Sequence, residues 1–298
     1  MFIKNALKVK NNLWRYGLGV LIIFIFTQLG SIPLIVAIFQ KVGLEGAAKL
    51  NPSNMMTVLE NNNLTFFYLL LSFVVGFIGF LIVIKFLHNQ SLKSVTTSRE
   101  STDFKRVFTA FISISAIILS NLLFSIYLNP DEYVFQFNLN DFVILFLIAI
   151  IFIPIQTSLE EYVFRGYIMQ GLGVFVKNRW FPLIFTSLSF GLLHLSNPEI
   201  DKIGNIIIIH YIVTGLFLGI ITLMDEGMEL ALGFHAGNNL LIALLVTADW
   251  TVFQTSSVFK YIGEPDVINQ TFFSLAVIYP LLLIYFSKKY QWTNWKEK

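Results

Sequence analysis

Glu160 and Glu161 stand side by side in a stretch that otherwise reads as membrane-buried helix, and Arg165 follows one turn later. A charge at the bilayer centre costs about 2.5–3.5 kcal/mol even on lenient insertion scales. Three such groups so close together either neutralise one another or do chemistry. Glu161 and Arg165 are four residues apart and share a helix face, so they can pair. Glu160 is turned about 100° away and is free to face another element. Two more pairs follow at the same spacing, Phe190 with His194 and His235 with Asn239. Gly233 and Gly237 flank the second of them and let another helix approach closely.

Each feature has a plain structural alternative: an ion pair with a spare carboxylate, a hydrogen-bonding histidine, polar glue between helices. Together they place a carboxylate pair with an arginine, a histidine, and a His/Asn pair on three separate spans. A bundle that gathers those faces makes a polar pocket inside the membrane. Carboxylate, imidazole and water are the equipment of hydrolysis. The remaining polar residues read as structural. His210 has only Thr214 within a turn, His88 sits at a span end, and Ser187 and Ser189 lack a Gly-x-Ser-x-Gly elbow. Serine bonding back to its own helix is the cheaper account.

The elements that must hold these residues are long apolar runs. The chain is 56% hydrophobic and only 13% charged, against about a quarter charged in soluble domains. The expected fold is all-α, a polytopic transmembrane helix bundle of about eight spans, with the catalytic residues on three of them facing an intramembrane cavity. The candidate spans are 16–39, 66–87, 107–128, 142–165 or beyond, 180–196, 204–224, 230–248 and 272–286, from the need for about 20 apolar residues per crossing. Residues 1–298 read as a single integral membrane domain, with the core that carries the three motifs at about 142–248. The basic N-terminus leads into an apolar run without a small-residue cleavage site, so it reads as a retained first span. With no cysteine, disulfides, thiolate catalysis and Cys-ligated metals are excluded. A net charge of +2 suggests no nucleic-acid partner.

An even number of spans puts both termini on one side. All of the 20 basic residues except Lys41, Lys49, Lys202 and Lys260 then fall on that side, which the positive-inside rule assigns to the cytoplasm. Trp14, Trp180, Trp292 and Trp295 fall near the same face, as an interfacial aromatic belt would. Arg165, Lys177 and Arg179 read as a basic rim there, and the acidic turn 225–229 lies on that side too.

The three motifs, Glu160-Glu161-x-x-x-Arg165, Phe190-x-x-x-His194 and His235-x-x-x-Asn239, resemble those of the CPBP family. These are intramembrane endopeptidases that include type II CAAX prenyl proteases and bacteriocin-processing or immunity (Abi) proteins. All three motifs are intact and in the family's order over 145–245. The resemblance implies peptide-bond hydrolysis in the bilayer. Glu160 with His194 would activate the attacking water, and His235 and Asn239 would stabilise the oxyanion. Glu161, Arg165 and Phe190 would support them. The family is commonly described as metalloproteases, and Glu160, His194 and His235 could ligate zinc. Without His-Glu-x-x-His, and with asparagine a poor ligand, the preferred reading is a glutamate-activated water needing no cofactor, with zinc as the alternative.

Depth sets one further expectation. Straight helices at 1.5 Å per residue would leave Glu160 about 27 Å from one face and His194 about 21 Å from the other. A break or kink at Pro154 is the expected repair.

The reading is therefore an intramembrane endopeptidase acting on hydrophobic or membrane-anchored peptides, in contact with membrane lipid, in a bacterial cytoplasmic membrane. The alternatives are a non-catalytic immunity or scaffold protein of the same fold, and a proton-coupled transporter. The transporter would be supported by inverted repeats, and none stands out.

Overall fold

The computed structural model describes residues 2–293. Trp295, Lys296 and Lys298 lie outside the described residues. Apolar runs become helices because a bilayer offers no partner for a backbone N–H or C=O, and a helix satisfies them within itself. Six helices are long and apolar enough to cross a membrane: α1 (Leu13–Ala47), α2 (Asn62–Leu87), α3 (Phe104–Leu128), α4 (Leu139–Val176), α6 (Ile207–Asp225) and α8 (Thr271–Lys289). Two shorter apolar helices, α5 (Trp180–Ser196) and α7 (Glu229–Leu245), complete the set. Together they match the eight expected runs. The outer surface is apolar, with Phe24 58%, Ile112 63% and Leu147 55% exposed, while Glu161 and Arg165 are fully buried. An apolar skin over a charged interior is stable only in lipid, and the protein is an integral membrane protein.

α4 is the hub. Its first half packs between α2 and α7, and its second half lies against α5 and an N-terminal 3-10 helix, Ile3–Lys8. It starts at Asn138, whose side chain accepts the Asn140 and Asp141 N–H groups at 3.0 and 3.2 Å. The helix does not break at Pro154, contrary to the expectation from sequence. It runs on to Glu161, and Thr157 Oγ1 adds a bond to the Ile153 carbonyl at 3.0 Å. One missing N–H is tolerated where neighbouring helices hold both sides. The irregularity comes later, as a π-helical segment at Tyr162–Ile168, directly after the glutamate pair. Such segments insert one extra residue per turn and are common at functional sites.

α7 is clamped to α3 through its glycines. A Cβ on Gly237 would sit 2.8 Å from Ile114 Cγ2 and 2.9 Å from the Phe111 carbonyl oxygen, and one on Gly233 would overlap the Val107 carbonyl. Glycine is thus required for the close approach expected from sequence. Gly233→Val should destabilise the bundle by about 1–3 kcal/mol, the usual cost of overpacking. Thermal unfolding in detergent checks this, and a variant melting with the wild type would show that the α3–α7 contact is free to open.

The fold is not purely helical. Tyr133–Phe135 (β1), Val246–Thr247 (β2) and Phe259–Tyr261 (β3) form a small sheet of order β1-β3-β2, antiparallel between β1 and β3 and parallel between β2 and β3. It ties the approach to α4 to the exit from α7. Strands of two or three residues are too short to carry a readable alternation.

The opposite end of the bundle gathers both described ends of the chain. The Phe2 N–H bonds to the Glu226 carboxylate, and Trp292 Nε1 donates to Asp225 Oδ1 at 2.9 Å. Arg99 bridges Asp225 at 2.9 Å and Glu229 at 3.1 Å, and Arg106 also pairs with Asp225. The acidic turn is therefore neutralised by the basic loop facing it. This corrects two expectations. Trp292 is buried on Asp225 rather than placed in an aromatic belt, whereas Trp14 and Trp180 are exposed. Arg165 is no rim residue, since it is fully buried and paired with Glu161. His88, unremarkable in sequence, is fully buried and joins the Lys10 carbonyl to the Tyr167 hydroxyl at 2.6 Å each.

Candidate active site

The glutamate pair sits at the junction of the regular helix and the π segment of α4, against α7. Glu161 Oε1 receives Arg165 Nη1 at 3.0 Å and faces His235 Nδ1 at 2.8 Å. His235 Nε2 lies 3.4 Å from Glu160 Oε2. The four side chains form one line: Arg165, Glu161, His235, Glu160. Two carboxylates thus meet one guanidinium and one imidazole, the two groups here that can offset them. Neutrality is what a low-dielectric interior demands of buried charge. Glu160 is the member left partly open, its side chain 18% exposed. Its Oε2 takes no hydrogen bond from the described residues.

Arg165 is held from two further sides. Nη2 donates to the Gly215 carbonyl at 3.2 Å, and the guanidinium lies 4.5 Å from the centre of the Phe190 ring. The contact with α6 exists because Gly215 has no side chain. A Cβ there would be 3.1 Å from Ser187 Cα on α5. Small residues at helix contacts let backbones meet in this way. Phe190, edge-on to Phe164 at 5.5 Å, thus packs directly on the buried cation.

His194 lies in the 3-10 turn that ends α5. Its Nδ1 is 2.7 Å from the Phe190 carbonyl. A carbonyl can only accept, so Nδ1 carries a proton and Nε2 is left as the acceptor when the ring is neutral. The imidazole stacks on Tyr211 at 3.9 Å with 20° between planes. The Phe190 ring stands between the two histidines, 4.8 Å from His194 and 6.1 Å from His235. Asn239 is half-buried and donates through Nδ2 to Gln156 Oε1 at 3.1 Å.

The structure therefore brings Glu160, Glu161, Arg165 and His235 into one contact chain, with Phe190 against it. The imidazole touching Glu160 is His235. His194 and Asn239 flank this chain, each with its own partner. Among the described residues no three His, Asp, Glu or Cys side chains converge as a metal cage. His235 also has both ring nitrogens turned to carboxylates, so Glu160, His194 and His235 do not fit a zinc site in this arrangement.

Three participants escaped the sequence reading. Gln156 lies one turn before Glu160 and was recoverable from that spacing. Gly215 and Gly219 form a small-residue stripe on α6 that also had a readable signal. Tyr211 had none, because only the crossing of α5 and α6 sets it on His194. Ser187 follows expectation, its hydroxyl bonding the Leu183 carbonyl at 2.7 Å. His210 turns away, its Nδ1 3.4 Å from the Thr271 hydroxyl.

Comparison with known proteins finds two similarities in sequence. Over 296 residues the chain is 27% identical to uncharacterized protein YyaK of Bacillus subtilis (strain 168), covering 94% of each chain. No solved structure matches the chain. Residues 139–241, which hold every motif residue described above, match the family described as type II CAAX prenyl endopeptidase Rce1-like, the kind of protein that the three motifs resemble.

Proposed function

We propose that the protein is an intramembrane peptidase that hydrolyses hydrophobic or membrane-anchored peptides, with both termini in the cytoplasm. The observation that carries this reading is the buried contact chain Arg165–Glu161–His235–Glu160, whose outer carboxylate oxygen, Glu160 Oε2, lies 3.4 Å from His235 Nε2 and takes no hydrogen bond from the described residues. A structural ion pair would need only Glu161 and Arg165. In the reaction, the oxygen of a water bonds to the scissile carbonyl carbon as its proton passes to Glu160. Glu160 then returns that proton to the amine nitrogen as the C–N bond breaks, while His235, held at Nδ1 by Glu161, keeps the Glu160 carboxylate in place. Preorganised donors aimed at the developing oxyanion contribute most in such sites. Asn239 Nδ2 has a second N–H for that role, and His194 Nε2 is oriented as an acceptor that assists the water.

Cleavage of a hydrophobic peptide library by the full chain in liposomes tests the reading, with and without a chelator. Activity should survive chelation, because the donor set gathers no three ligands. Loss on chelation with rescue by zinc would overturn the metal-free mechanism. Activity unchanged in Glu160→Gln would overturn the site. A binding protein of the same fold would instead show no turnover and keep its partner in that variant.

Tyr211 supplies a second check. Tyr211→Phe keeps the stacked ring and should retain activity. Tyr211→Leu frees His194 to rotate and should lower kcat roughly 10–100-fold with little change in KM, since small misplacements of a catalytic group cost that much. Equal activity in both variants would remove His194 from the chemistry.

A further inference from the structure

A cleft of about 400 Å³ opens where the N-terminal 3-10 helix meets the ends of α4 and α6. None of the motif residues lines it. Phe2, Ile3, Val174 and Leu223 line it with apolar surface, together with the exposed Lys4 and Lys177. We propose that this cleft binds an anionic phospholipid, the lysines taking the headgroup and the apolar walls its first acyl carbons. This does not depend on the peptidase reading.

The cleft is built into the fold. The 3-10 helix is fixed by the bond from the Phe2 N–H to Glu226 and by Asn5 Nδ2, which donates to the Ser94 and Thr97 carbonyls at 3.0 Å each. Ile3 packs onto the bare backbone of Gly173, where a Cβ would come within 2.8 Å of Ile3 Cγ2. Arg179 and Glu226 also line the space, and Glu226 is taken by the Phe2 N–H, so the two exposed lysines are what a headgroup would meet.

Its depth in the bilayer follows from what surrounds the mouth. Leu7 58%, Phe175 62%, Trp180 64% and Phe181 50% are exposed around it. Tryptophan and basic residues at a helix end mark headgroup level. Basic pockets between membrane helices take anionic headgroups. A soluble anion would make no use of the apolar walls, and a neutral lipid would make none of the lysines.

The test is native mass spectrometry of the full chain in neutral detergent, given phosphatidylglycerol, phosphatidylcholine or soluble glycerol phosphate. Phosphatidylglycerol should be retained in preference to the other two. Lys4→Gln/Lys177→Gln should weaken it roughly thirtyfold, from about 1 kcal/mol of attraction per basic residue. Val174→Trp should abolish it by filling the cleft, whereas Lys4→Arg/Lys177→Arg and the opposite-face pair Lys41→Gln/Lys49→Gln should retain it. Equal retention of phosphatidylcholine would overturn the proposal. So would undiminished binding in Val174→Trp with wild-type melting, or equal binding of glycerol phosphate. The two lysines are exposed, so the charge variant decides the question if Val174→Trp fails to fold.

Discussion

Glu161→Ala should unfold the bundle more readily than any change elsewhere in the charged cluster, by about 3–5 kcal/mol, the cost of stripping one partner from a buried ion pair. Glu161 and Arg165 are both 0% exposed, 3.0 Å apart. Arginine cannot shed its proton in a protein. Without Glu161, the guanidinium would keep its charge with no carboxylate in hydrogen-bond contact among the described residues, beside the Gly215 carbonyl and the Phe190 and Phe164 rings. The reverse change should be milder. In Arg165→Leu, Glu161 still has His235 Nδ1 at 2.8 Å, and a carboxylate can neutralise itself by taking up a proton. The ordering Glu161→Ala worse than Arg165→Leu is thus a prediction in its own right. The double change to two leucines should recover much of the loss, because it removes both charges and fills the space. Equilibrium unfolding in detergent across this cycle gives the coupling directly. Additive losses would show that the two side chains do not act as a pair.

Glu160→Gln should behave in the opposite way, with hydrolysis lost and the fold kept. General acid–base groups contribute about 10²–10⁴-fold to rate, so kcat should fall at least a hundredfold. Stability should change little. Glu160 is the partly exposed member of the cluster, and its contact with His235 is the longest at 3.4 Å. Glutamine preserves the shape, and His235 remains held by Glu161. The two glutamates therefore separate by readout. Changing Glu161 strikes unfolding first, and changing Glu160 strikes turnover. If both variants lost stability and activity together, the division of labour proposed for the pair would fall.

That division was partly legible in sequence. The spacing of Glu161 and Arg165 allowed a pair on one face, and the rotation of Glu160 away from it followed from the helical turn. The glycines at 233 and 237 announced a close helix contact, which α3 fills. Pro154 misled as a break point, because one missing N–H is tolerated where neighbouring helices pack on both sides, and α2 and α7 do so here. Arg165 and Trp292 misled for a related reason. Their residue types suit an interface, but Glu161 and Asp225 supply buried partners that draw them inward.

What the sequence determined by itself is local. Apolar runs of bilayer length became helices because lipid allows the backbone no other spanning form, and pairs four residues apart met because the turn of a helix places them together. What only the tertiary structure decided is which faces meet across helices. That His235 rather than His194 touches Glu160, that Gly215 reaches Arg165 and that Tyr211 lies on His194 all depend on the rotation and depth of one helix against another. Those are set by small residues, the π segment and the end clusters acting together, and no single stretch of sequence contains them.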